Sequence, residues 1–222
     1  MSLTVRLNET PSVSLPDPGE IEHQLIEYYD AEGDERLTRP VDPQRLNARV
    51  QFLDSITPLG PCSVLEIGSG PGRDAMAFLD AGHSYTAIEL STQHARRCRD
   101  VGASVVQATV RRLPFRDGSF SALWSMSTMM HVPNSAIDAA LKELARVLQP
   151  SGLAAIGVWG GPDVEEYSAM DRNAGRPPRL FSRRSASRWS SMLAAIGNVE
   201  EFRTWGDDID YLYQFALVRK AS

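Results

Sequence analysis

Apolar residues change their period near Pro61. Before it they recur at helical spacing: Ile21, Leu25, Ile26 and Tyr29 form one stripe between Glu20 and Tyr29, and Leu46, Val50 and Leu53 repeat the pattern until Pro58 and Gly60 stop it. A charged, proline-containing loop joins these two helices. After Pro61 short apolar runs alternate with amphipathic stretches. Strands are predicted over Ser63 to Ile67, Ser84 to Glu89, Ser104 to Gln107, Phe120 to Met126 and Leu153 to Trp159, with helices over Asp74 to Ala81, Thr92 to Val101 and Ser135 to Leu148. Such β-α repetition favours a parallel sheet covered on both faces. A last helix, Ala186 to Ile196, stops at Gly197, and two strand-like runs, Val199 to Trp205 and Tyr211 to Val218, flank a Gly-Asp-Asp turn that should pair them antiparallel.

Composition narrows the function classes. Of 222 residues 42% are hydrophobic, and 23 Lys and Arg against 28 Asp and Glu leave a formal charge of -5. That balance describes a soluble globular protein and argues against one that grips nucleic acid or anionic membranes by bulk charge. Cys62 and Cys98 are too few for a disulfide framework or a four-ligand zinc site. The opening MSLTVRLNETPSVSLPDPGE lacks the apolar run of a secretory signal, and no stretch approaches the about 18 apolar residues of a membrane helix. A cytoplasmic protein with no membrane span and no required metal is the expectation.

The chemistry concentrates in Val64-Leu65-Glu66-Ile67-Gly68-Ser69-Gly70-Pro71-Gly72-Arg73-Asp74, a strand running into glycines and then a helix. Glycines there let the backbone approach a ligand closely. A dinucleotide loop would place its third glycine or alanine where this chain has Arg73, and the Gly-Lys-Ser/Thr ending of a phosphate-cradling loop is missing. A nicotinamide oxidoreductase is therefore disfavoured. Glu89 closes the second strand about 20 residues after the first glycines, at the spacing of an acid that accepts both hydroxyls of a ribose.

Together, Glu66-x-Gly68-x-Gly70-x-Gly72 and Glu89 resemble the class I S-adenosylmethionine-dependent methyltransferase family. The resemblance runs from Val64 to Val158. It includes Leu113-Pro114-Phe115-Arg116-Asp117-Gly118-Ser119-Phe120 before the fourth strand, His131-Val132 after it, and Arg146-Val147-Leu148-Gln149-Pro150-Ser151-Gly152 leading into the fifth. It implies a Rossmann-like, doubly wound, mostly parallel sheet of seven strands with an antiparallel last strand, helices on both faces and an N-terminal helical lid. The implied division is a flexible segment 1–19, a helical lid segment 20–60 and an S-adenosylmethionine-binding core 61–222, with 160–180 as a substrate-side loop. It also implies that Gly68, Ser69, Gly70 and Gly72, with Glu66, face the methionine part of the cofactor. Glu89 and Leu90 would meet the ribose, Thr109 and Val110 flank the adenine, and Ser125 and Met126 line the pocket. S-adenosylhomocysteine would be the product. Two positions depart from the family: Thr109 stands where an aspartate commonly bonds the adenine amino group, and Ser121 where an aspartate is usual after the strand start. If these reflect lost turnover, a non-catalytic S-adenosylmethionine-binding regulatory or scaffold protein is the alternative.

Further candidates surround this core. His131 follows the fourth strand, and a near-neutral pKa would suit removal of a substrate proton, a structural histidine being the competing account. In look-alike enzymes a tyrosine such as Tyr28 or Tyr29 closes over the methionine end, one ring packing while its neighbour faces the site. Met and Trp residues from Trp124 to Met130 suit an adaptable pocket. Six arginines between Arg172 and Arg188, with no acid among them, form a solvated face or reach over the pocket to clamp an anionic acceptor. Asp207, Asp208 and Asp210 read as turn chemistry rather than metal ligands. With no appended nucleic-acid module, a small-molecule methyl acceptor is expected over tRNA, rRNA or DNA.

Overall fold

The computed structural model describes residues 15–208 and 211–222. Residues 1–14 of the expected flexible segment and Asp210 of the acidic turn lie outside the described residues. Helix α1 (Pro18–Glu32) starts because the Asp17 carboxylate accepts the free N–H groups of Gly19 and Glu20 at 2.8 and 3.2 Å and Pro18 needs no partner at the first helical position. It ends at Gly33, whose φ of 53° closes the last turn. A short α2 (Glu35–Thr38) leads to α3 (Pro43–Ile56), again capped by an aspartate, Asp42, ahead of a proline. The stripe that α3 buries is Ala48, Phe52 and Ile56; Leu46 and Val50, expected to face inward, are 37% and 52% exposed. Phe52 decides the orientation, because its ring fits between Phe78 and Trp124 at 6.2 and 5.3 Å.

The core is a seven-stranded sheet in the order β3-β2-β1-β4-β5-β9-β8, made of β1 (Ser63–Ile67), β2 (Ser84–Glu89), β3 (Ser104–Gln107), β4 (Phe120–Met126), β5 (Leu148–Trp159), β8 (Asn198–Trp205) and β9 (Tyr213–Arg219). The first five strands are mutually parallel, and β9 inserts antiparallel between β5 and β8. The order reverses at β1 and β4. Their carboxyl ends therefore diverge into a crevice, the place where sheets of this kind take ligands. Helices α4 (Ala75–Asp80) and α5 (Thr92–Asp100) join α3 over one face, and α6 (Ile137–Val147) and α8 (Ala186–Leu193) cover the other. A hairpin was not foreseen: β6 (Val164–Tyr167), inside the stretch read as a substrate-side loop, pairs with β7 (Leu180–Arg183) at its end, with α7 (Ala169–Asn173) in the connection. No described helix is long and apolar enough to cross a membrane, and among the described residues no group of three His, Cys, Asp or Glu could hold a metal.

One serine departure has a structural account. The Ser121 hydroxyl accepts from the Ser63 N–H and the Ser63 hydroxyl from the Ser121 N–H, both at 3.0 Å, so the pair stitches β1 to β4 where these strands begin.

The layers are locked at Asp74, just before α4. Its buried carboxylate accepts from Arg45 and Arg49 of α3 at 3.0 and 2.8 Å and from the Trp124 indole of β4 at 3.1 Å. Burial pushes this carboxyl up, but Arg45, the indole N–H and Arg49 together outweigh burial and hold it below the usual range. Removing one partner of a buried charge cluster leaves the others desolvated, so Asp74→Ala should cost about 3 to 5 kcal/mol in urea unfolding. A depressed carboxylate stabilises the fold above its unfolded pKa of about 3.9 and loses that contribution as pH falls through the lower folded value. The wild-type protein should therefore lose stability more steeply than the alanine variant below about pH 4, measured by unfolding midpoints across pH.

Candidate functional site

Two adjoining cavities open at the carboxyl edge of the sheet. The first is a narrow slot of about 90 Å³. Its floor is Ile67, Gly68 and Gly70 after β1, Ile88 to Leu90 at the end of β2, and Ala108, Val110 and Arg111 after β3. Met126, Ser127 and Thr128 close it from β4, and Ile21, Glu22, Leu25 and Tyr29 of α1 form the roof. Gly68 has a φ of 73°, and a Cβ there would stand 2.2 Å from the Thr128 hydroxyl oxygen, so only glycine fits between the loop and the end of β4.

The expected site residues divide clearly. Gly68, Gly70, Glu89, Leu90, Val110, Met126 and His131 line the slot. Glu89 uses its carboxylate to shape the loop, accepting from Gly70 N–H at 2.7 Å through one oxygen and from Leu90 and Ser91 N–H at 2.8 and 2.9 Å through the other. Ser69, Gly72 and Ser125 stand behind the wall: Ser69 bonds to the Gly70 carbonyl, Gly72 packs on Cys98 and Val101 of α5, and the Ser125 hydroxyl reaches the Ile67 carbonyl. Glu66 is buried below the glycines and accepts a short hydrogen bond from Tyr85. Burial, reinforced by the nearby Asp74 charge, raises the Glu66 carboxyl well above its usual value.

Three expectations need correction. Tyr28 does not line the slot; it is buried with the Arg179 guanidinium 4.0 Å from its ring centroid, and Tyr29 is the tyrosine that faces the site. Thr109 is not free to receive an adenine amino group, because its hydroxyl donates a short bond to Glu22 and accepts the Arg111 N–H at 3.2 Å. The carboxylate missing from position 109 is present in space, brought by Glu22 of α1 and fixed by Arg111 at 2.7 and 2.8 Å. Glu22 could have been read from the pattern, since Pro18, Glu22, Leu25 and Tyr29 share one helical face.

His131 is the third. Its Nδ1 lies 2.8 Å from the Leu180 carbonyl oxygen, which accepts only, so Nδ1 carries the proton and Nε2 accepts from the Tyr29 hydroxyl at 3.0 Å. Burial, opposed by the Leu180 bond and aided by Arg179 and Arg36, lowers the imidazole to about 3. The near-neutral base expected there is instead a neutral ring that positions Tyr29. Burial, partly offset by Arg179 and Arg36, raises the Tyr29 phenol, which stays protonated.

The second cavity, about 340 Å³, meets the first at Tyr29, Arg36 and Ser127. Ser127 adopts a left-handed φ of 59° at the end of β4, held by its N–H on the Gly157 carbonyl at 2.7 Å and its hydroxyl beside that of Tyr213 at 3.2 Å. Of the six arginines from Arg172 to Arg188 only Arg179 lines this cavity. Arg176, Arg183 and Arg188 pair with Glu35, Glu166 and Asp163, and Arg184 is buried against the carbonyls of Met129, Ser182 and Val132. The cationic wall comes from Arg36, Arg39, Arg45 and Arg73, none of them anticipated.

A family model described as methyltransferase domain matches residues 65–156, the span from β1 to β5. A protein of Mycobacterium sp. (strain KMS) named an uncharacterized methyltransferase is 33% identical over 147 residues, 62% of this chain and 58% of that protein. The 2-methyl-6-phytyl-1,4-hydroquinone methyltransferase of Synechocystis is 29% identical over 137 residues, 56% of this chain and 42% of that enzyme. This chain thus spans less than two thirds of the length of these relatives. Among solved structures, the 1,6-didemethyltoxoflavin-N1-methyltransferase of Burkholderia thailandensis, crystallised with 1,6-didemethyltoxoflavin and S-adenosylhomocysteine, superposes with a TM-score of 0.75 at 21% identity, covering 95% of this chain and 93% of that one. At that identity the likeness carries the fold alone, and residues 65–156 of this chain are similar to a methyltransferase domain.

Proposed function

We propose that the protein transfers a methyl group from S-adenosylmethionine to an O, N or C atom of a small molecule. The observation that carries the reading is the junction of the two cavities: a slot built on the glycine loop and Glu89 opens, at Tyr29 and Ser127, onto a larger chamber suited to a second reactant. The similarity of residues 65–156 to a methyltransferase domain and the named activities of the relatives support it.

The slot's donor set fits an adenosyl sulfonium better than a dinucleotide. Arg73, which follows the glycine loop in the chain, donates to the Arg36 and Arg39 carbonyls at 3.2 and 2.6 Å and does not line the slot, so a pyrophosphate would find no counter-charge from it. Glu22 and Glu89 offer carboxylates to hydroxyl and amino groups and to a positive centre. When bound, the cofactor supplies a methyl carbon that accepts the acceptor's lone pair as the carbon–sulfur bond breaks, leaving the thioether.

Residues of this chain hold, orient and shield. Glu89 meets the ribose, with the Gly68–Gly70 backbone against the methionine part. Glu22 takes the role expected at position 109, and Val110 and Met126 supply apolar walls. At about 90 Å³ the slot is below the ~300 to 1,000 Å³ of small-molecule sites, so ligand exchange requires α1 to lift. Its fastenings suit that: Glu22 to Arg111, Asp30 to the Ser91 hydroxyl and Asp34 to Arg97 are polar and partly solvated, and such pairs are each worth about 1 kcal/mol or less. Tyr29 closes over the junction. His131 fixes Tyr29 and takes no proton from the acceptor, so alignment of an already nucleophilic atom carries the rate. Because Glu22 stands in for the carboxylate absent at position 109 and Ser121 is engaged with Ser63, these departures lend no support to a non-catalytic scaffold.

Calorimetric titration should give saturable binding of S-adenosylmethionine and S-adenosylhomocysteine in the micromolar range, near -8 kcal/mol, and none of NAD. Absence of binding by both adenosyl ligands would sink the reading. Glu89→Ala should weaken S-adenosylmethionine binding by about 1 to 3 kcal/mol with the thermal melt little changed. For His131, nitrogen NMR should show an Nδ1–H tautomer that stays neutral from pH 8 down to about pH 4. The unfolded chain takes up this proton below about 6.5, so the group contributes full stability above that pH and loses it as pH falls toward its folded value. A histidine titrating near 6.5 at this position would restore a base role.

A further inference from the structure

We propose that the second cavity takes, as methyl acceptor, a planar aromatic molecule carrying an anionic group, a carboxylate in its simplest form. The proposal rests on the methyl-transfer reading above and adds the chemical class of the acceptor.

Charge is the first argument. Among the described residues five arginines line the cavity against one acid, Asp42, which accepts from the Gln44 N–H at 2.7 Å and the Trp205 indole at 3.2 Å. Arg39 has Glu32 at 2.7 Å, Arg179 has Asp171 at 2.9 Å, and Arg45 shares Asp74 with Arg49. Two guanidiniums are left without a carboxylate. Arg73 donates only to backbone carbonyls, and the Arg36 guanidinium makes no hydrogen bond or ion pair with the described residues. The Arg45 Nε is buried with no partner. Burial, together with the repulsion of Arg45 and Arg36, lowers the Arg73 pKa, the signature of cations crowded without enough counter-charge. An anion relieves that crowding, and a carboxylate matches the guanidinium fork.

Shape is the second. The same cavity is lined by a cluster of rings: Trp159 lies parallel to Tyr211 with centroids 4.7 Å apart, and Tyr213 stands edge-on to Trp159 at 5.0 Å and beside Trp205 at 4.8 Å. Flat, rigid faces of this kind favour a planar π-system over a flexible chain. The volume of about 340 Å³ suits one or two fused rings with substituents, not a polymer. A ring seated there with its acid toward Arg73 extends its other edge to the junction, where Tyr29 and Ser127 present hydroxyls.

The test uses the whole protein saturated with S-adenosylhomocysteine and a panel of acids, each paired with its own amide: 2-hydroxybenzoate, quinoline-2-carboxylate and 1-hydroxy-2-naphthoate, with cyclohexanecarboxylate as the saturated control. Binding is read by calorimetry and by quenching of tryptophan fluorescence, since Trp159 and Trp205 line the cavity. At least one aromatic acid should bind tenfold or more tightly than both its amide and the saturated acid. Arg73→Gln, which touches the second cavity alone, should lower that acid's affinity at least tenfold and leave S-adenosylhomocysteine affinity within twofold. Arg36→Gln should act in the same direction, and a wild-type-like melt shows that each variant is folded. Amides binding as well as acids, no acid binding to the loaded protein, or both variants leaving acid affinity unchanged would each overturn the proposal. The comparison of acid with amide in the unaltered protein decides the matter even where a variant misfolds. Failure to bind S-adenosylhomocysteine at all would instead remove the underlying methyl-transfer reading, which separates the two failures.

Discussion

The buried carboxylate of Asp74 is the constraint on which the rest of the arrangement depends. It sits where the glycine loop becomes α4, and its two oxygens reach α3 through Arg45 and Arg49 and the central strand β4 through Trp124. Desolvating a carboxylate is costly unless several donors replace water, and here three do. The consequence reaches both cavities. Arg45 is drawn down into the wall of the second, α3 is clamped above the sheet, and the glycine turn that floors the first is held against β4. Arg73, next in the chain, is directed outward onto the carbonyls of Arg36 and Arg39, so the loop also grips the segment that carries the unpaired cation.

Glu66 shows the same economy with the opposite outcome. It is buried beneath the glycines and has a neutral tyrosine where Asp74 has guanidiniums. Two acids close together under one loop cannot both be comfortably charged; the one with cations nearby keeps its charge and the other is pushed toward protonation.

What was legible in the sequence was local. Five strands, the glycine loop, Glu89 and the antiparallel return of β9 are written in contiguous residues whose period or turn chemistry suffices to place them. The face of α3 was misread because Leu46 and Val50 are apolar yet need no burial, whereas the spacing of Ala48, Phe52 and Ile56 is the one that meets Trp124. The hairpin of β6 and β7 escaped notice because its strands are four residues long and Val164–Tyr167 carries two glutamates. Of the residues lining the slot, those after β1, β2, β3 and β4 and one of the pair Tyr28 and Tyr29 were named from the sequence, but Glu22 arrives from a distant helix. The second cavity was invisible: Arg36, Arg39, Asp42, Arg45, Arg73, Trp159, Arg179, Trp205, Tyr211 and Tyr213 contribute to it, and nothing in their separate neighbourhoods announces that they converge.

That convergence also sets an electrostatic contrast. Among the described residues two acids and two arginines line the slot, with Glu22 and Arg111 paired and Arg36 at the junction, while five arginines and one acid line the chamber. On the proposed function, the sulfonium would sit on the Glu22 and Glu89 side and the anionic acceptor on the Arg73 side. Tyr29 stands at the boundary as a neutral group. Its proton is directed at His131, so its oxygen faces the junction as an acceptor and a wall rather than as a charge. A charged base in that position would have to share the space with Arg36 and Arg179, which already lower the imidazole behind it. On the proposed function, the buried ionic interactions would sort two ligands by sign and leave the boundary between them uncharged, where methyl transfer would need alignment more than a proton acceptor.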